Sequence, residues 1–125
     1  MAQRVFVIFD YDNDNDLKIL LIGQAKNDDS PFEIEDWSVK VASPGWKADA
    51  RRRIARSDQV VVLCGKHTDT AEGVNVEIEI ARELGIPYFL LSGRDGSVKP
   101  TSALASDKKY RWTWDNLKTL IDGGR

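Results

Sequence analysis

Gly73-Val-Asn-Val-Glu77-Ile-Glu79-Ile-Ala-Arg-Glu-Leu84-Gly85-Ile-Pro87-Tyr-Phe-Leu-Leu91 reads as a helix that stops at Gly85 and a buried strand from Pro87 to Leu91. On a wheel of about 100° per residue with Glu77 at zero, Leu84 and Ala81 fall within about 40°, and Val74 and Ile80 within about 60°. Glu77 thus sits in the middle of the apolar stripe, whereas Glu79 points to solvent. A carboxylate on a core-facing stripe is costly unless something satisfies it. Two readings follow. Glu77 is either a first-turn glutamate helped by the helix dipole and nearby backbone N–H groups, or a functional carboxylate in a cleft.

The same alternation extends in both directions. Arg4 to Phe9 is a near-continuous apolar run, the pattern of a strand covered on both faces of a parallel sheet. A polar loop, Asp10 to Asp16, leads to a helix from Leu17 to Ala25, with Leu17, Leu20, Leu21 and Gln24 on one side. A turn-rich stretch at Asn27 to Pro31 precedes a less hydrophobic strand, Glu35 to Val41, expected nearer the sheet edge. Ser43-Pro44-Gly45 breaks the chain before a helix from Trp46 to Arg56, with Trp46, Ala50, Ile54 and Arg53 on its inner side. Gln59 to Cys64 is a third, Val-rich buried strand, and Gly65 to Thr70 a loop into the Glu77 helix. Ser92 to Asp107 is a long loop with a helical turn expected around Thr101 to Ala105. Tyr110 to Trp112 reads as a short fifth strand, and Thr113 or Asp115 as the cap of a last helix through Ile121.

Strands alternating with helices imply an open parallel sheet with right-handed crossovers. The expected fold is a flavodoxin-like three-layer α/β sandwich with a central parallel sheet of about five strands, in one domain over residues 1–125. Ligands of such sheets bind beyond the carboxyl ends of the strands. That points to the loops at Asp10 to Asp16, Val41 to Gly45 and Cys64 to Thr70, beside the start of the Glu77 helix.

Composition narrows the function. The 125 residues carry a net charge of −2 and no apolar run of membrane-spanning length, so neither nucleic acid nor a membrane is the expected partner. A single cysteine, Cys64, and an N-terminus that runs straight into a strand predict a cytoplasmic protein without a signal peptide.

Several motifs fail their tests. The Asp10, Asp12, Asp14, Asp16 series is no EF-hand, since Asn15 replaces the sixth-position glycine and Leu21 the twelfth-position glutamate. Asp14 stands where a haloacid-dehalogenase phosphatase wants Thr or Val, and no Asp ends the Gln59 to Cys64 strand as in a receiver domain. The series reads instead as a solvated, helix-capping loop, with Asp10 the member placed to reach a ligand. No dinucleotide-binding or P-loop glycine pattern follows a strand. Cys64 and His67 alone make no zinc site, so no metal is expected. Cys64 reads as core, and His67 as a loop residue beside the cleft.

Taken together, several stretches resemble a known family. Val-Phe-Val-Ile-Phe-Asp-Tyr-Asp at 5–12, Asp-Trp-Ser at 36–38 and Ile-Ala-Arg-Ser-Asp-Gln-Val-Val-Val-Leu-Cys-Gly at 54–65 come first. Val-Asn-Val-Glu-Ile-Glu-Ile-Ala at 74–81 and Trp-Thr-Trp-Asp-Asn-Leu at 112–117 complete the set. In order and spacing the chain is similar to bacterial TIR-like (Toll/interleukin-1-receptor-like) domains, of the group related to the signalling subunit of Thoeris anti-phage systems.

The resemblance implies an enzyme that cleaves the nicotinamide–ribose bond of NAD+, giving ADP-ribose or a cyclic ADP-ribose-type signal. NAD+ would be its substrate, with no further cofactor. The catalytic glutamate of the family maps onto Glu77, in agreement with the wheel. Asp10 and Tyr11, with Ser38 or Trp46, are expected to line the pocket around the nicotinamide ribose, near His67. Where many active TIR domains carry an aromatic residue four positions before the glutamate, this chain has Gly73. The alternative implied is a non-catalytic module that binds a nucleotide or assembles with other TIR domains.

The acidic stretches at Asp10 to Asp16 and Asp28 to Asp36, against Arg51, Arg52, Arg53 and Arg56, polarise the molecule. The arginine edge reads first as a solvated face, and the polarity would also suit head-to-tail self-association weakened by salt. A salt-insensitive monomer in concentrated sedimentation runs would count against it.

Overall fold

A computed structural model describes residues 3–39 and 44–124. Its strands are β1 (Gln3–Ile8), β2 (Phe32–Trp37), β3 (Gln59–Cys64), β4 (Tyr88–Ser92) and β5 (Lys109–Arg111). Its helices are α1 (Asn15–Ala25), α2 (Trp46–Ala55), α3 (Glu72–Leu84) and α4 (Trp114–Ile121). The five strands form one sheet in the order β2-β1-β3-β4-β5, and every neighbouring pair is parallel. This is the flavodoxin-like arrangement.

The continuous apolar strands are explained by two cores. Val5, Val7 and Phe9 alternate with Phe6 and Ile8, and successive side chains of a strand face opposite ways. The first set packs with Val61, Leu63, Leu91 and the inner residues of α1 and α4, Leu17, Leu21, Leu117 and Leu120. The second packs with Val60, Val62, Leu90 and the inner residues of α2 and α3, Ala50, Ile54, Val74 and Ile78. A strand with helices on both faces has no side left for polar residues.

The α3 helix stops at Gly85, as the sequence predicts. Gly85 takes the left-handed conformation, φ 70°, and its N–H donates to Arg82 O at 3.1 Å while Ile86 N–H returns to Ala81 O at 3.0 Å. These bonds satisfy carbonyls that the helix end would otherwise orphan. At α4 the cap is Thr113, whose hydroxyl accepts from Asn116 N–H at 3.1 Å.

Four expectations are corrected. The second strand begins at Phe32, not Glu35, because Phe32 is a core anchor, and it ends at Trp37; Val41 lies outside the described residues. Leu20 is 59% exposed, since the inner stripe of α1 is made by Leu17 and Leu21 with Ala25, while Gln24 accepts from the Trp112 indole at 2.8 Å. Residues Thr101 to Ala105 make turns rather than a helical turn, with Ala103 N–H on Pro100 O and Leu104 N–H on the Asp107 carboxylate. The fifth strand is shifted by one residue, to Lys109–Arg111.

The register between β1 and β2 slips by one. Val5 pairs with Ile34 but Phe6 pairs with Asp36, so Glu35 is an extra residue, a β-bulge. Phe32 and Ile34 pack on the α1 and α4 side. Strict alternation would send Asp36 and Ser38 the same way. After the bulge the parity is reversed. Trp37 faces α1, with Lys18 Nζ 4.9 Å from its ring, while Asp36 and Ser38 face α2 and α3.

Close packing at the carboxyl end of the sheet yields one prediction. A Cβ on Gly93 would lie 2.4 Å from Leu17 Cδ1 and 2.9 Å from the backbone oxygen of Cys64, to which Gly93 N–H donates. Gly93→Ala is expected to destabilise the protein by about 1–3 kcal/mol through overpacking. A denaturation midpoint equal to the parent's, at unchanged slope, would refute this.

Candidate functional site

A cleft of about 370 Å³ opens at the carboxyl ends of β1, β2 and β3. Its walls come from Phe9 to Asn13 after β1, Ser38 and Val39 after β2, and His67, Thr70 and Ala71 before α3. The first turns of α3 contribute Glu72, Gly73, Val74 and Glu77. This is where ligands of open parallel sheets bind, next to the point where the strand order reverses.

Glu77 is 2% exposed and lines this cleft. Its Oε1 accepts from the Ser38 hydroxyl at 2.6 Å. Among the described residues no backbone N–H donates to the carboxyl, so the reading of a glutamate satisfied by the helix start does not hold. Burial pushes the Glu77 carboxyl up to about 8, against the opposing pull of the Ser38 bond and the Arg53 charge. Arg53 stands behind it on α2, paired with Asp36 at 3.4 Å and Asp49 at 3.1 Å. The Asp36 charge raises Glu77 further.

Four other expected residues meet Glu77 in this cleft. Ser38 is buried and bonded to it. Asp10 is buried at the cleft wall, but both its oxygens fold its own loop. Asp12 N–H donates to Oδ1 at 3.2 Å and the Asn13 amide to Oδ2 at 2.7 Å. Tyr11 is 46% exposed, its ring 6.3 Å from that of Phe9, and it lines the cleft. His67 is exposed on the rim.

Trp46 does not line the cleft. It is buried at the start of α2 on the stripe it shares with Ala50 and Ile54, because positions four apart on a helix face the same way. The strand-end loop expected around Val41 to Gly45 is described only at Pro44 and Gly45.

The acidic loop is also corrected. Asp14 does occupy the N-cap position of α1, but it is not solvated: it is 2% exposed, its side chain makes no cap bond, and it pairs with Arg94 at 3.2 Å. Burial raises its carboxyl above the usual range. Its second oxygen lacks a hydrogen bond, and a Cβ on Gly65 would strike the carboxylate. Cys64 is buried core, its thiol pushed up to about 12 by burial and so unreactive at neutral pH. No group of three or more potential metal ligands occurs among the described residues.

Two positioning residues carry no sequence signal. Thr68, fully buried, accepts from Gly65 N–H at 2.7 Å and folds the rim loop over β3. Asn75 donates to Asp69 O at 3.1 Å and Ala71 O at 3.2 Å, and accepts from Ser102 N–H at 2.8 Å. It ties the rim to the long loop after β4. An Asn in the first turn of a helix has many local uses, so only the tertiary contacts reveal this one.

Residues 6–92 match the family described as Thoeris protein ThsB, TIR-like domain. The match spans most of β1 through β4 and includes every described residue that lines the cleft. No curated protein matches the chain. Among the described residues no helix is long and apolar enough to cross a membrane.

The Glu77 environment has a consequence for stability. Folded Glu77 keeps its proton to about pH 8, whereas an ordinary glutamate gives it up near 4.5. Between these values the folded state holds the extra proton, so stability falls as pH rises through that window. Glu77→Gln should abolish this decline, melting with the parent at the acid end and gaining on it toward pH 8. Thermal shifts that stay constant across the window would contradict it.

Proposed function

The chain belongs to the Thoeris ThsB TIR-like domain family, and from that premise we propose that it cleaves NAD+ in anti-phage signalling, with Glu77 as the catalytic carboxylate. The observation that carries this reading is a buried glutamate at an open cleft, held by a side-chain hydroxyl rather than by backbone donors. A carboxyl with only structural duty would be better replaced by an apolar residue.

The chemistry fits the arrangement. As the nicotinamide–ribose bond breaks, its electron pair leaves with the nicotinamide and positive charge develops on the ribose. Such oxocarbenium character is stabilised by a carboxylate held beside the sugar. Neutral nicotinamide is already a good leaving group, so no general acid is required. The exposed ring of Tyr11 offers a face for the pyridinium cation. Asp10, His67 and Gly73 line the same cleft of about 370 Å³, in which the ribose would sit. The ribosyl cation is then captured by water, giving ADP-ribose, or by an atom of the same nucleotide, giving a cyclic signal.

With its carboxyl pushed up to about 8 by burial, free Glu77 is mostly protonated at pH 7, and the reaction needs its anion. The cationic pyridinium supplies the missing charge, since an opposite charge within a few ångströms favours ionisation. The profile of kcat/KM, which reports the free enzyme, should therefore rise tenfold per pH unit and level off near pH 8. The limb of kcat should lie lower, because bound substrate pulls the carboxyl down. Coincident limbs would contradict this coupling.

The direct test is NAD+ turnover by concentrated protein, with Glu77→Gln alongside and products resolved by chromatography. Nicotinamide release should fall by about 10²-fold or more in the variant, the scale of losing a transition-state charge partner. Equal turnover by the variant, or a parent that neither cleaves nor binds NAD+, would favour an interaction module instead.

A further inference from the structure

We propose that Ser38 is the positioning residue for Glu77, its hydroxyl turning between two acceptors so that the carboxyl stays hydrogen-bonded in both protonation states. Three groups surround the Ser38 Oγ. Phe9 N–H donates to it at 3.2 Å, Glu77 Oε1 lies at 2.6 Å, and Val7 O lies at 3.4 Å. A hydroxyl has one proton and two lone pairs, so it cannot donate to both oxygens at once.

Two complete arrangements exist. With Glu77 ionised, Ser38 donates to the carboxylate and accepts from Phe9. With Glu77 protonated, the carboxyl donates to Ser38, which accepts from Phe9 as well and turns its own proton to Val7 O. Every buried polar atom of the set keeps a partner in either state, and no heavy atom moves. Val7 O is not orphaned in the first, because Ser38 N–H donates to it at 2.9 Å. A leucine or alanine here could serve neither state.

The bulge at Glu35 is what brings this hydroxyl to α3 rather than α1. The remaining charges about Glu77 differ in kind. Arg53 and Asp49 on α2 and Asp36 on β2 are locked in ion pairs. Asp10, Asp12, Glu72 and His67 line the cleft without a bond to Glu77. Ser38 alone among the described residues gives the carboxyl a hydrogen bond.

This inference rests on the reading of Glu77 as the carboxylate beneath the ribose, and it completes a balanced proton cycle. Neutral Glu77 meets the pyridinium, releases its proton to solvent through the cleft, and stands as the anion while nicotinamide departs. Where water captures the ribose, Glu77 takes the water's proton as the C–O bond forms. The enzyme is then neutral again. Ser38 follows each change by rotation.

The test uses the whole chain with Ser38→Ala and Ser38→Thr. Ser38→Ala removes a hydrogen bond from both states, but the one to the carboxylate is charge-assisted and the stronger, so the midpoint of the kcat/KM limb should rise by about one to two pH units. The deficit in Ser38→Ala should be greatest on the acid side, and Ser38→Thr should move the limb back toward the parent. The same shift is expected without substrate, in a ¹³C titration of the Glu77 carboxyl assigned by its loss in Glu77→Gln. An unchanged carboxyl midpoint in Ser38→Ala overturns the proposal. Should Ser38→Ala not fold, Ser38→Cys keeps the volume with a weaker donor, and an unchanged midpoint there overturns it equally. A parent without turnover would sink the functional reading while the carboxyl titration still judged Ser38.

Discussion

A carboxyl buried between an apolar helix and the end of a sheet edge is the constraint around which this protein is built. Charging Glu77 in such a place costs several kcal/mol unless a donor meets it. The fold answers with one hydroxyl, from the strand at the sheet's edge, and with a cleft that leaves the carboxyl in reach of a ligand. Much else serves that meeting. The α3 helix is held at its start by Asn75 and Ser102, and at its end by the left-handed Gly85. The rim loop is closed by Thr68. Arg53, saturated by two aspartates, adds positive field without competing for the cleft.

The bulge in β2 deserves equal weight with the glutamate itself. A strand has a period of two, so one extra residue exchanges the faces of everything beyond it. Here that exchange turns Trp37 outward onto Lys18, and Asp36 and Ser38 inward toward Arg53 and Glu77. The edge position of β2 makes this tolerable, since an edge strand has a partner on one side only. A central strand with the same insertion would break two ladders rather than one.

The acidic loop after β1 shows a different economy. Asp10 spends both oxygens on its own turn, and Asp14 is swallowed against Gly65 and Arg94. What reads in one dimension as a run of solvated carboxylates is in part a set of internal struts. Tyr11, 46% exposed, stands at the cleft beside them.

The chain alone determined the alternation of elements, the parallel sheet, the end of α3 at Gly85 and the conflict of Glu77 with its apolar stripe. Each of these follows from a local period or a local backbone preference, and so is written in consecutive residues. Only the tertiary structure decided which side chain answers that conflict. Ser38 reaches Glu77 because of the register between β1 and β2, set by pairing residues far apart in the chain. The starting point of β2 at Phe32, the burial of Trp46 away from the cleft and the turning of Asp14 onto Arg94 were hidden for the same reason. Each depends on which neighbour arrives, and neighbours are brought by packing rather than by sequence distance.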